Sequence, residues 1–204
     1  DYAAASLVER GKSREFAKTI ASVRTGTVVS ATDATRAQSA RDNIAQGEAA
    51  ERQACTVLKE MGFDRVGLGL HYGRQGIDVY GIRNTPHGRT LATMEVKSTS
   101  DPQRRGTEQG VLRLLKSDSR GLQQGSRLWN EDRLRVAHNQ GSRLAAHIRT
   151  GQVLVGDGRI WQTRHYVHWK NMATGEEKTF RAVSNKTGDR VVKLNLLRHE
   201  SPQG

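Results

Sequence analysis

The sequence predicts an α/β domain with a mixed central sheet flanked by helices, and three observations carry that expectation. Residues 43–61 place Ala50, Ala54, Val57, Leu58 and Met61 on one face at helical spacing, and Gly62 follows as a stop. Residues 76–83 and 89–98 read as two strands joined by the turn at 84–88, Asn-Thr-Pro-His-Gly. Residues 121–137 return to a helical pattern, with Leu122, Trp129 and Val136 seven apart, and alternating segments follow. The order helix, strands, helix, strands is that of a mixed α/β domain.

Taken in chain order, residues 1–42 are rich in Ala, Ser, Thr and Arg. They read as an extension or linker to a carrier polypeptide upstream, with a short amphipathic helix around Leu7, Phe16, Ile20 and Val23 and a loop over 25–39. Residues 43–204 form the domain proper. A first strand covers 65–71, ahead of the 76–83 and 89–98 pair, and a polar, basic loop spans 100–110. After the helix at 121–137, a helical turn is expected at 142–149 and a strand at 152–155. Residues 160–170 and 178–183 alternate as an antiparallel pair around Thr174-Gly175, and 190–197 forms a last strand. The chain starts at Asp1 without methionine or a signal-peptide pattern, which reads as a fragment of a longer polypeptide.

Charge narrows the function. The 204 residues carry 33 Lys and Arg against 21 acidic residues, a formal charge of +12, which attracts polyanions. Nucleic acid leads, ahead of an anionic membrane or an acidic protein. Aromatics make up 5% of residues, too few for single-strand binding by stacking alone. The single cysteine, Cys55, excludes an intrachain disulfide and reads as a small core residue. Gly67-x-Gly69 lacks the full glycine fingerprint and no Walker sequence is present, so no nucleotide hydrolysis is expected.

The chemistry concentrates in Gly76-Ile77-Asp78-Val79 and Met94-Glu95-Val96-Lys97. On a strand, Glu95 and Lys97 point the same way as Thr93, while Ala92, Met94 and Val96 fill the apolar face. Two carboxylates and an amine on one polar face suit a divalent metal and an activated water set against a phosphodiester. The preceding helix offers a third carboxylate. Counting about 100° per residue from Ala54, Glu51 falls at the border of the buried face, whereas Glu48 and Glu60 fall on solvated flanks. Arg104, Arg105, Arg113, Lys116 and Arg120 follow the Glu-x-Lys strand and are candidates for phosphate contacts. His138, His147, His165 and His168 read as scattered surface histidines, and the last two point to opposite faces of their strand.

These residues resemble the PD-(D/E)XK nucleases, the restriction-endonuclease-like fold, over about residues 43–137. The resemblance assigns Glu51 as the helix acid, Asp78 as the central acid, and Glu95 with Lys97 as the last motif. The stretch Gln124-Gly125-Ser126-Arg127-Leu128-Trp129 also looks like a Gln-x-Ser-x-x-Trp motif of nuclease domains in bacterial polymorphic toxins, including contact-dependent inhibition proteins. Gln124 then aligns with the active-site glutamine, with Gln123 as the alternative. The resemblance implies Mg²⁺ or Mn²⁺ held by Asp78, Glu95, Glu51 and the Val96 carbonyl, with Lys97 and Gln124 positioning water or backbone. It implies cleavage of nucleic acid, DNA favoured and tRNA the alternative, against a non-catalytic basic binding module. It further implies secretion or display as part of a larger protein, action in a target-cell cytoplasm, and a cognate acidic immunity protein.

Overall fold

The computed structural model describes residues 31–70, 76–86, 88–139, 153–154 and 160–197. The helix expected around Leu7 to Val23 and the helical turn expected at 142–149 lie outside them. Helix α1 (Ala31–Glu60) is a single helix of 30 residues. It begins well before residue 43 and takes in residues 31–39, expected as a loop. Its early contacts come from small residues: Ala37 and Ala40 are buried, and Gln38 bonds Asp42 one turn on at 2.8 Å. Alanines add little to an apolar pattern, so the extra turns leave a faint trace in the sequence. The helix closes as the sequence predicts. Gly62 takes φ +83°, and Phe63 N–H reaches back to the Leu58 carbonyl at 3.1 Å, a Schellman closure.

Strands β1 (Arg65–Leu70), β2 (Ile77–Thr85) and β3 (Gly88–Thr99) form an antiparallel meander. The β2–β3 hairpin turns where the sequence places it. Two further helices follow, α2 (Glu108–Leu112) and α3 (Arg127–Asn139). The two-residue strand β4 (Val153–Leu154) pairs with β5 (Ile160–Asn171), and β6 (Glu177–Ser184) and β7 (Val191–Leu197) complete the sheet. The order is β1-β2-β3-β5-β6-β7. β3 and β5 run parallel and their neighbours antiparallel, so the sheet is mixed. A parallel step requires a crossover, and α2 and α3 lie within it.

α1 packs on β1, β2 and β3, where Ala54, Val57 and Leu58 meet Val79, Ala92, Met94 and Tyr166. On the other face, Trp129, Leu134 and Ala137 of α3 meet Ile82 and Leu91. Beside α3, Val111 of α2 and Leu115 pack with Val167, Trp169, Phe180 and Leu194. No helix among the described residues is long and apolar enough to cross a membrane.

One boundary shifts in a way that matters for the site. Helix was expected from residue 121, but α3 starts at Arg127. Gly125 takes φ +77°, which a side chain would resist, and Ser126 then caps the helix by accepting the Trp129 N–H at 3.3 Å. Gln124 therefore sits in the turn ahead of α3 rather than on the helix.

Candidate active site

The β2–β3 ladder pairs Tyr80 with Thr93 and Val79 with Met94. One step further brings Asp78 alongside Glu95, and its side chain replaces a ladder bond. The Asp78 Oδ2 accepts the Val96 N–H at 2.8 Å. Within a strand, the N–H and C=O of one residue face the same neighbour, so the Val96 carbonyl faces the Asp78 side as well.

Glu95 is almost fully buried, 4% exposed. Its Oε1 accepts from Lys97 Nζ at 2.8 Å, while its Oε2 is buried with no hydrogen-bond partner among the described residues. Lys97 Nζ also donates to Gln124 Oε1 at 2.9 Å. Gln124 is held in turn by Lys116: its Oε1 accepts the Lys116 N–H at 3.0 Å and its N–H donates to the Lys116 carbonyl at 2.9 Å. Gln123 is spent elsewhere, on the Val191 N–H at 2.9 Å and the Leu115 carbonyl at 3.2 Å. Gln124 is thus the glutamine that reaches Lys97.

Burial, and then the negative charge of Glu95, push the Asp78 carboxyl well above its ordinary value. Lys97 and the Val96 N–H oppose that shift, and Glu51 adds to it. Glu51 is therefore close enough to act on Asp78. It is also buried, at 8% exposed, whereas Glu48 is half-buried and Glu60 exposed, in the order the helix geometry predicts. A further contact fixes α1 against the end of β3. Gln46 Nε2 donates to Ser98 Oγ at 3.0 Å, and the Ser100 hydroxyl donates to Gln46 Oε1.

Among the described residues, no group of three or more His, Cys, Asp and Glu side chains is gathered so as to hold a metal ion. A looser set is present. Asp78 has its second oxygen outside the Val96 bond, Glu95 has a buried oxygen without a partner, and the Val96 carbonyl faces them. These are hard oxygen donors. Magnesium commonly takes one or two carboxylates and keeps several waters, so the residues fit such an ion. A concavity along α1, about 480 Å³, is walled by Ala45, Glu48, Ala49, Arg52, Gln53 and Thr56, none of them a predicted site residue.

The basic residues divide. Arg113 and Lys116 are exposed. Arg104 lies 3.8 Å from Asp101 and Arg105 lies 3.6 Å from Glu176, both still more than half exposed. Arg120 is committed to structure, bonding both Asp132 oxygens at 3.0 and 2.6 Å and Asp118 at 3.0 Å. The histidines of β5 are not surface residues. His165 Nδ1 shares a 2.8 Å hydrogen bond with Thr93 Oγ1, and burial, aided by Arg127, holds its pKa down to about 4. His168 is fully buried against Thr179 at 2.9 Å. The two do point to opposite faces, since Thr93 and Val96 are their partners on β3.

Sequence reasoning missed Asn171. This fully buried amide donates to the Asp101 and Arg104 carbonyls at 2.9 and 3.0 Å and accepts the Ala173 and Thr174 N–H groups. It ties the loop carrying Arg104 and Arg105 to the β5–β6 turn. The one local hint was an asparagine just ahead of the Thr174-Gly175 turn.

Comparison with known protein families, curated proteins and solved structures gives no match for this chain.

Proposed function

We propose that this chain is a metal-dependent endonuclease of the PD-(D/E)XK kind, serving as the nuclease domain of a delivered bacterial toxin. One observation carries the proposal. Two neighbouring carboxylates, Asp78 and Glu95, share one ammonium, Lys97, and among the described residues Glu95 keeps a buried oxygen with no hydrogen-bond partner. Buried acids left short of positive charge favour a cation.

Asp78 and Glu95 would hold Mg²⁺ or Mn²⁺, with the Val96 carbonyl beside them and Glu51 adding negative charge from α1. When bound, the ion supplies positive charge to the phosphodiester and lowers the pKa of water. Lys97 has three N–H donors, of which Glu95 and Gln124 take two. The third is left for a water or a phosphate oxygen, and the ammonium offsets charge building on the phosphate. Gln124, braced by the Lys116 backbone, fixes where that ammonium points. Arg113 and Lys116, with Arg104 and Arg105 on the loop Asn171 ties down, would contact backbone phosphates on either side of the cut. The +12 charge would draw in that substrate.

DNA is the favoured substrate and tRNA the alternative. A nuclease made for delivery endangers its producer, which favours an acidic immunity protein as partner and a larger secreted or surface-displayed carrier. The test is to incubate the purified chain with plasmid DNA and with total tRNA, in Mg²⁺ or in EDTA. Cleavage in Mg²⁺ that EDTA and Glu95→Gln both abolish supports the proposal. Binding without cleavage of either substrate leaves a basic nucleic-acid-binding module.

A further inference from the structure

Among the described residues, no helix lies over one half of one sheet face. α1 packs on β1–β3 and reaches only as far as Tyr166 and Leu197, while α2 covers the opposite face of β5–β7. On the α1 side, register sets Tyr166, Arg181 and Asn195 in one cross-strand row. Two residues along β6 and β7, Val183 pairs with Lys193, and Arg164, two residues before Tyr166, is placed on this face by its pairing with Ala92. Arg181, Val183, Lys193 and Asn195 are exposed, and Arg164 is half-buried.

The three cations of this face differ from Arg104, Arg105, Arg120 and Arg127, each of which has a carboxylate within 4 Å. Among the described residues, Arg164, Arg181 and Lys193 have neither an ion pair nor a side-chain hydrogen bond. Strands lie about 4.8 Å apart and alternate residues about 7 Å apart, so the Cα atoms of Arg164 and of Lys193 each fall within roughly 10 Å of that of Arg181. Like charges this close on a sheet face repel and lower stability, unless an anionic partner offsets them.

We propose that this open face of β5, β6 and β7 docks an acidic protein, with its carboxylates on Arg164, Arg181 and Lys193 and an apolar contact on Val183. Position separates this partner from the substrate. Asp78, Glu95 and Lys97 share the opposite face of the sheet, so a nucleic-acid strand held there does not run over these cations. The face also lacks a stacking platform, because its aromatic residue, Tyr166, is buried. The inference deepens the partner half of the proposed function and needs no cleavage activity.

The test uses the full chain in EDTA with two probes, poly-L-glutamate and a short duplex DNA, each followed by fluorescence anisotropy. Arg164→Glu/Arg181→Glu/Lys193→Glu should weaken poly-L-glutamate at least about tenfold and change duplex affinity less than about threefold. Arg104→Glu/Arg105→Glu should do the reverse. A fold check by Tm accompanies both. Arg181→Ser/Lys193→Ser, confined to exposed positions, gives the same readout if the triple variant does not fold. Unchanged poly-L-glutamate binding overturns the proposal, and an equal loss for duplex DNA makes the face a nucleic-acid surface instead. Cleavage measured separately in Mg²⁺ bears on the nuclease proposal alone.

Discussion

Two acidic clusters in this molecule are built on opposite terms. At Asp118 and Asp132, two carboxylates meet three guanidinium groups. Arg120 bonds both, Arg133 lies 2.8 Å from Asp118, and Arg135 lies 2.5 Å from Asp132. Hydrogen bonds from Arg120 lead in holding Asp132 down to about 2. At Asp118, burial alone would raise the pKa, but Arg120 and backbone N–H groups outweigh it. At Asp78 and Glu95, two carboxylates share one ammonium, Lys97, while Glu51 adds negative charge, and Asp78 is pushed up rather than down. An acid cluster as such says little about function. The ratio of acid to base separates a brace that is already satisfied from a site that would gain by taking a cation.

The largest effect should fall on cleavage. Asp78→Asn or Glu95→Gln should each lower the rate by about 100- to 1,000-fold, the scale of losing one preorganised electrostatic contact. Neither should lower the Tm in EDTA, since each relieves crowded negative charge. A folded Asp78→Asn protein with full activity would falsify the assignment. Asp132→Ala should behave in the opposite way. It strands its arginine partners and should cost about 2 kcal/mol of stability, read by urea unfolding, with the Mg²⁺ dependence of cleavage intact.

Glu51 gives a finer comparison. Glu51→Gln should weaken the Mg²⁺ requirement curve by about tenfold, the scale of a residue acting beside the ligands, while Glu48→Gln leaves it in place. Equal curves would make Glu51 a structural acid. The smallest effect concerns pH. Asp78 has its folded pKa raised above an unfolded value of about 3.9, so between the two the folded state holds the extra proton. In EDTA its contribution to stability therefore falls as pH rises through that window, and Asp78→Asn should remove that slope. Asp132 has its pKa depressed, so its contribution is present above about 3.9 and lost as pH falls toward about 2. Chemical denaturation at stepped pH, in wild type and both variants, reads the two opposite slopes.

The strands and the polar face were legible because both rest on short-range pattern. Alternation put Glu95 and Lys97 on one side, and the turn at 84–88 set the antiparallel register that brings Asp78 to Glu95. Helical geometry ranked Glu51 above Glu48 and Glu60 by border position, and burial follows that order. Three features escaped for physical reasons. The first turns of α1 pack through alanines, which barely mark a face. The α3 start was placed early because Leu122 fits the seven-residue spacing, although Gly125 and Ser126 break and cap the chain after it. The charge balance of the two acid clusters depends on contacts between distant segments, such as Arg120 with Asp132 and Lys97 with Gln124, which no local pattern encodes.

The contrast between the clusters is tested most directly by calorimetric titration of Mn²⁺ into the purified chain, the double variant Asp78→Asn/Glu95→Gln, and Asp132→Asn. Wild type and Asp132→Asn should bind the ion with similar affinity and release protons on binding, more at lower pH, while the double variant shows no binding. Equal binding by the double variant and wild type, or loss of binding in a folded Asp132→Asn protein alone, would contradict the assignment of the cation site to Asp78 and Glu95.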